Sequence, residues 1–350
     1  MGKVTVKDVA AAADVSPSSV SNYLNRPSRL SAATRERIRG VIQELGFVPN
    51  DAARRLRAGT NPIIGYIAFE LMSSFTPAVA DALEREVARR GMHLLMANDT
   101  ESPEREQSYL ELFEMQRVSG VIVAPLGDVE SELLELKRRG TPSVLSGIAA
   151  KSHHLASLST NEVVGGYLAV KHLLDIGRRR VAFVSTSPDL QQISDRLQGA
   201  LKAIGERGGA TLEVIQVPKR SVAAGMAAAA AIAERPAGTR PDALFCANDL
   251  LGIGVIQQLV TRSNIDVPTD LAVIGYDDIE FAASTVVPMS SVRVSAEAVG
   301  ATLVELLFDE IALVATARPG ELPELPSRHV LFEPQLVLRA STAAPGRVIP

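Results

Sequence analysis

Residues 5–25 read TVKDVAAAADVSPSSVSNYLN, two short helical patterns separated by a tight turn. Thr5 is a good N-cap, and Asp8 three residues later can complete the cap and sits well against the helix dipole. Val6, Val9, Ala10 and Ala13 recur at helical spacing and make one apolar face. Asp14-Val15 forms the turn. Ser16 then caps a second helix, with Pro17 at the position where a missing N–H costs nothing. Val20 and Leu24 point inward, leaving Ser18, Ser19, Ser21, Asn22 and Asn25 outside. Small hydroxyl and amide side chains are poor helix formers but good partners for base edges and phosphates. This scale is that of a helix-turn-helix DNA reader, although a helical hairpin that only packs is the competing reading.

The next segments favour the DNA reader. Ser31 starts a third helix whose apolar face is Ile38, Val41, Ile42 and Leu45, and Gly46 is placed to end it. PNDAARRLR (49–57) follows, a short Arg-rich run with Leu56 as its one large apolar residue. Such a helix is marginal alone in water and suits folding against phosphate, with Leu56 wedged into a base step. A charged linker is the other reading. Residues 1–60 hold ten Lys or Arg against five Asp or Glu, a net of about +5 in a chain of net charge −4. The remainder therefore carries about −9. A basic head on an acidic body is the charge distribution of a protein that presents one end to nucleic acid.

The body is 46% hydrophobic over the whole chain, with 4% aromatic residues and no Trp, so its core must be aliphatic. Strand-length apolar runs alternate with amphipathic helices: 63–69, 93–98, 120–125 and 142–147, then 179–186, 211–218, 243–249 and 271–278. This α/β repeat predicts two lobes of doubly wound parallel sheet. Ligands bind such sheets at the carboxyl ends of the strands, so two facing lobes place a ligand between them. GMAAAAAIAER (225–235) keeps helical periodicity and reads as a tightly packed helix.

The chain resembles the LacI/GalR transcription regulators along nearly its whole length. The resemblance is carried by VKDVAAAADVSPSSVSNYLN, LSAATRERI and ELGFVPNDAARRLR. Further on come NEVVGGYLAVKHLLDIGRRRVAFV, PDALFCANDLLGIGVIQQL, VPTDLAVIGYDDIEFA and LVLRAST, in the family's order and spacing. It implies a homodimer that binds a near-palindromic double-stranded DNA operator and is gated by a small-molecule effector, a sugar or a sugar-derived or anionic metabolite. The implied layout is a helix-turn-helix head (1–48), a hinge helix and linker (49–61), an N-terminal lobe (62–161 and 292–324) and a C-terminal lobe (162–291 and 325–342) of a periplasmic-binding-protein-like core, with a loose tail (343–350). The implied DNA face comprises Thr5, Val6, Ser16, Pro17, Ser18, Ser21, Asn22, Asn25, Arg29 and Ser31 in the head. In the hinge it comprises Asn50, Ala53, Arg54, Leu56 and Arg57. Many relatives carry Arg near the position of Asn22; Asn can pair bidentately with adenine but cannot reproduce an Arg–guanine fork.

For the cleft, the resemblance implies effector contacts from Phe75, Gln192, Arg196, Arg220, Asn248 and Asp277. A guanidinium, an amide and a carboxylate can share vicinal hydroxyls. Asp249 and Asp278 are expected to cap the helices that follow them. Three departures bear on the ligand. Ser146-Gly147 replaces the family's acidic–basic pair, Thr160 replaces an Asp, and Lys219-Arg220 stands where an aromatic stacker is common. The last change points toward an anionic group, or else to a solvated basic loop.

Cys246 is the one cysteine and sits in an apolar run, so it is expected to pack. His153-His154 lacks neighbours at metal-ligand spacing, and no P-loop or Gly-x-Gly-x-x-Gly occurs. No metal, cofactor or enzymatic activity is expected. No apolar run has membrane length, and the head begins too early for a cleavable leader, which points to the cytoplasm. A solute-binding protein of the same two-lobe architecture and a sugar- or nucleotide-processing enzyme are the competing classes. The tail has no heptads to support a tetramer.

Overall fold

The computed structural model describes residues 4–47, 61–68, 71, 75–100, 102–318, 320–323 and 328–343. The chain divides into two units, Met1–Asn61 and Pro62–Pro350. The expected hinge residues Asn50, Ala53, Arg54, Leu56 and Arg57 lie outside the described residues.

The head is three helices, α1 (Val6–Ala12), α2 (Pro17–Asn25) and α3 (Ala32–Leu45). Each starts where its sequence supplies a cap. The Thr5 backbone N–H donates to Asp8 Oδ2 at 2.8 Å while the Thr5 hydroxyl accepts from Asp8 N–H, a complete capping box. The Thr5 hydroxyl also donates to Asp8 Oδ2 at 2.7 Å, and this bond, then the one from the Thr5 backbone N–H, holds the Asp8 carboxyl below its ordinary pKa. Ser16 accepts from Ser19 N–H at 3.1 Å, and Ser31 from Thr34 N–H at 3.2 Å. Asp14 (φ 49°) makes the turn between α1 and α2, and Gly46 (φ 60°) stops α3 in the left-handed conformation that glycine adopts without strain. Val9, Ala10, Ala13, Val20, Ile38 and Phe47 are buried together as one small core.

The body contains two six-stranded sheets. The first, ordered β11-β5-β4-β3-β1-β2, is parallel throughout. It comprises β1 (Ile63–Ala68), β2 (His93–Asn98), β3 (Gly120–Val123), β4 (Ser143–Ser146), β5 (Ala156–Thr160) and β11 (His329–Phe332). The second runs β12-β10-β9-β8-β6-β7. Its strands are β6 (Arg180–Ser185), β7 (Thr211–Gln216), β8 (Ala243–Cys246), β9 (Ala272–Asp277), β10 (Ser290–Arg293) and β12 (Gln335–Val337), which alone is antiparallel to its neighbour. Helices α4 (Phe75–Arg89), α5 (Pro103–Met115), α6 (Glu130–Arg138) and α11 (Ala296–Thr316) accompany the first sheet. Helices α7 (Glu162–Asp175), α8 (Gln191–Arg207), α9 (Val222–Ala233) and α10 (Asp249–Arg262) accompany the second. The central strands are buried from end to end, as a sheet covered on both faces requires. Cys246 is fully buried among them.

The strand pairing corrects the expected lobe boundaries. Segment 325–342 does not belong wholly to the C-terminal lobe: β11 pairs with β5 in the first sheet, and only β12 joins the second. Likewise β10, which ends at Arg293, lies in the second sheet, so the N-terminal lobe does not resume at residue 292. The chain thus changes sheet three times, at 160–162, 293–296 and 332–335. The physical reason is an open edge. Without β11, strand β5 would leave its backbone groups unpaired. The His329 ring adds hydrogen bonds to the Ser157 and Ser159 hydroxyls at 3.0 and 3.2 Å. Strand β5 is also held from the helix side. A buried Lys137–Glu310 ion pair (2.6 Å) joins α6 to α11; Lys137 donates to the His154 carbonyl, and Glu310 accepts from Ala156 N–H at 3.1 Å.

Helix α8 is set against α7 by backbone-to-backbone approach. A Cβ at Gly166 would lie 1.9 Å from the Arg196 carbonyl oxygen, and one at Gly199 would lie 1.9 Å from that of Val163. Only glycine permits this spacing, and it fixes where Arg196 points. Gly199→Val should therefore destabilise the body by about 3 kcal/mol or more, measured by urea unfolding, because the obstructing atoms are backbone and cannot swing aside.

One buried acid predicts a pH dependence. Burial, and then the negative charge of Asp99, push the Glu106 carboxyl up to about 7 from 4.5, while a hydrogen bond from the Leu126 backbone pulls the other way. The folded state therefore holds this proton more tightly than the unfolded chain does. The associated stabilisation is complete below about 4.5 and is lost as pH rises through about 7. Urea midpoints should fall between pH 5 and pH 8, and Glu106→Gln should flatten that slope.

Candidate functional site

The carboxyl ends of the strands in both sheets open onto one cavity of about 100 Å³. All six residues singled out for the cleft, Phe75, Gln192, Arg196, Arg220, Asn248 and Asp277, line it. The topology explains this convergence. Phe75 opens α4 after β1, and Gln192 and Arg196 lie in the first turns of α8 after β6. Arg220 sits in the β7–α9 loop, Asn248 follows β8, and Asp277 ends β9.

Arg196 is the most constrained of these. It is 6% exposed. Its Nε donates to Glu162 Oε2 at 2.7 Å, its Nη1 donates to the Ala247 carbonyl at 2.5 Å, and its guanidinium lies 3.6 Å from the Tyr276 ring centre. Burial opposes the charge, but Glu162 and then Tyr276 outweigh it and hold the guanidinium firmly protonated. A desolvated cation on an aromatic face is worth about 2 kcal/mol. Two of its donor groups are thus committed inside the protein. Burial, and then the adjacent Glu162 charge, raise the Tyr276 hydroxyl well above its ordinary value.

The acids after β8 and β9 also differ from expectation. Asn248, not Asp249, caps α10: its Oδ1 accepts from Leu251 N–H at 3.1 Å. Asp249 accepts instead from the Ser291 hydroxyl at 2.7 Å and from Ile279 N–H at 2.8 Å. Burial, then the charge of Asp277, lift its pKa well above the usual carboxylate range. Asp278 caps nothing; it bridges Arg293 (2.5 Å) and Arg339 (2.6 Å). Asp277 and Asp278 both have positive φ, 100° and 53°. Such backbone costs about 1–3 kcal/mol per residue and persists only where its surroundings hold it, here the Asp249 and Arg339 hydrogen bonds.

The departures at 146–147 and 160 fall on the same cavity. Ser146, Gly147 and Thr160 line it without contributing charge. Gly147 has φ 88°, and a Cβ there would stand 3.2 Å from Gln192 Nε2, so Gln192 reaches across the cleft to the opposite lobe. Arg220 is half-buried and faces the cavity, while Lys219 is exposed and does not line it. Glu162, Tyr276 and the apolar wall of Tyr66, Val79, Ile148, Leu158 and Val299 escaped the sequence reading. Glu162 could have been found from Asn161, which caps α7 and thereby places the next residue at the cleft.

In the head, Ser16, Pro17, Ser18 and Asn25 are exposed, and Ser21 and Asn22 are half-exposed. Thr5, Arg29 and Ser31 are exposed beside them in sequence at helix boundaries. Several of these side chains are engaged locally: the Thr5 and Ser31 hydroxyls in their caps, Ser16 with the Ser18 and Ser19 hydroxyls at 2.7 and 2.9 Å, and Asn25, whose Nδ2 donates to the Ser21 carbonyl at 2.8 Å. Val6 packs its side chain against the head core.

The model of bacterial regulatory proteins of the lacI family matches residues 5–50, and that of the periplasmic binding protein-like domain matches residues 170–342. A relative named HTH-type transcriptional repressor PurR, from Aliivibrio fischeri (strain ATCC 700601 / ES114), is 31% identical over 310 residues, 88% of this chain and 91% of that protein. The chain belongs to the lacI family of bacterial regulatory proteins. Among solved structures, a transcriptional regulator CelR–cellobiose complex aligns to this lacI-family chain with TM-score 0.66 and 26% identity, covering 97% of this chain and all (100%) of the other. The lac repressor dimer bound to operator and the anti-inducer ONPF aligns with TM-score 0.75 and 24% identity over 98% of this chain and 100% of the other, which shows the shared fold.

The Arg196–Glu162 pair generates a stability prediction. Glu162→Ala leaves a guanidinium buried with a lost counter-charge and should cost about 3–5 kcal/mol in urea unfolding. Glu162→Gln, which keeps an oxygen acceptor, should cost less.

Proposed function

We propose that this lacI-family chain is a cytoplasmic transcriptional regulator, most often a repressor in its action. In this reading a homodimer holds a near-palindromic DNA operator with its two heads, and a small molecule in the interlobe cleft sets its affinity. The observation that carries the reading is the convergence of six polar or aromatic residues from five strand ends on one cavity, in a chain whose residues 5–50 match the lacI-family regulatory-protein model. PurR relatives and the CelR–cellobiose complex show that proteins of this architecture are named as repressors and take small ligands. No helix among the described residues is long and apolar enough to cross a membrane.

The mechanism follows from the connections between lobes. Arg196 ties α8 to α7, the end of β8 and β9, all in one lobe, while Gln192 reaches Gly147 in the other. A ligand seated between them interacts differently with the open and closed cleft, and that difference is what can shift an equilibrium. In a symmetric dimer a change in cleft closure alters head spacing, and two half-sites are read only at a fixed spacing.

Fluorescence anisotropy with duplexes selected from a random pool tests this. The full chain should bind a near-palindrome, with affinity falling steeply as salt rises because phosphate contacts release counterions. Failure to bind any duplex at low salt, with or without candidate ligands, overturns the reading. Asn22→Arg should shift the preferred base at one symmetric pair of positions toward guanine, by about tenfold or more, since each bidentate pair discriminates by about 1–3 kcal/mol. An unchanged selected sequence would remove Asn22 from the base-reading face.

A further inference from the structure

We infer that the effector is uncharged, a hydroxyl- or amide-bearing molecule with one apolar face, and this rests on the reading of the cleft as an effector site. The ionised groups of the lining are Glu162, Arg196, Arg220 and Asp277, two of each sign. All four are engaged before a ligand arrives. Arg196 is bonded to Glu162 at 2.7 Å and to the Ala247 carbonyl at 2.5 Å. Arg220 and Asp277 each already interact within the protein. The charges of this wall are therefore compensated by one another and by their surroundings.

A charged ligand enters such a wall with no counter-charge to spare. A carboxylate or phosphate beside Asp277 meets the same field that, after burial, lifts Asp249 well above the usual carboxylate range. An ammonium has to draw Glu162 from Arg196, or Asp277 from its present interaction. Either charge loses its water as the cleft closes, which is costly unless it is paired. The anionic group expected from Lys219-Arg220 is disfavoured on this ground, and Lys219 does not line the cavity. What the lining leaves for a ligand is neutral. The hydroxyls of Tyr66, Ser146 and Thr160 and the amide of Gln192 line the cavity and make no hydrogen bond among the described residues. Thr76 adds a hydroxyl that is already engaged. Tyr66 is 3% exposed, and burial holds its phenol protonated, a fixed donor within the first lobe. Buried polar groups are normally satisfied, so hydroxyl or amide groups on two edges of a ligand complete those of both walls. Between them Val79, Ile148, Leu158 and Val299 give the apolar face of that ligand its contact.

Thermal unfolding of the full chain tests this with three probes. A small-molecule extract of the cells that carry the chain is divided, by anion- and cation-exchange resins at neutral pH, into anionic, cationic and uncharged pools. The uncharged pool should raise the melting temperature by about 2 °C or more, and the two retained pools should not. Tyr66→Phe, which removes one hydroxyl, and Gln192→Ala should each at least halve that shift, every variant being compared with its own ligand-free melting temperature. A shift from either retained pool as large as that from the uncharged pool overturns the inference, and so does the absence of a shift from all three. A shift that is unchanged in both variants places the ligand outside this cleft and also overturns it. In each of these cases, duplex binding measured on the same preparation reports separately on the regulator reading, which fails only if duplex binding is absent too.

Discussion

A guanidinium almost cut off from water has to be compensated where it stands, and Arg196 is the residue on which the cleft is organised. Its counter-charge comes from the first turn of α7, its carbonyl acceptor from the end of β8 and its aromatic support from β9. Three chain segments far apart in sequence are thereby held in one register. The arrangement also depends on the two glycines that let α7 and α8 approach through their backbones. A larger residue at either would move α8, and the guanidinium with it, away from its acceptors. Removing one partner of such a pair is far more costly than the pair's net contribution to stability. The cleft is therefore rigid on the side of the second lobe.

The other lobe meets this rigid wall with apolar side chains, hydroxyls and the reach of Gln192. The strained Asp277 backbone presents its carboxylate at the end of β9, held by a network that runs from Asp249 to Ser291 and from Asp278 to Arg293 and Arg339. Arg293 ends β10 at the second crossing between the sheets, and Arg339 follows β12, just past the last one. The network thus couples the floor of the cleft to a segment that joins the two lobes, which is where a change in closure must be absorbed.

How much of this was legible in the sequence varies with the physics behind each element. The head read almost completely, because caps, helical periodicity and a left-handed glycine are local signals: Thr5 with Asp8, Ser16 with Pro17, Ser31, and Gly46. The central strands read well because burial on both faces makes them continuous apolar runs. Strand β5 did not, since ASLST is small and hydroxyl-rich and is held by His329 and Glu310 from more than 150 residues away. Strand β11 was assigned to the wrong lobe for the same reason: its place is set by the edge it covers, a tertiary fact. In the cleft, the six candidate residues were reachable because strand ends in two doubly wound sheets converge. What they do there was not. Sequence offers no sign that Glu162 occupies the Arg196 fork, that Asn248 is the cap in place of Asp249, or that every charge in the lining lies on one wall.

The central claim is that cleft occupancy and DNA binding are coupled through this chain. Thermodynamic linkage makes it directly measurable: the factor by which a saturating cleft ligand changes duplex affinity must equal the factor by which saturating duplex changes ligand affinity. Titrating the full chain in both orders, on one duplex and one ligand at fixed salt, gives both factors. The account predicts equal factors of about fivefold or more, in either direction, with both reduced toward one when Gln192, which reaches across the cleft, is replaced by Ala. A ligand that binds the cleft while both factors remain at one would contradict it.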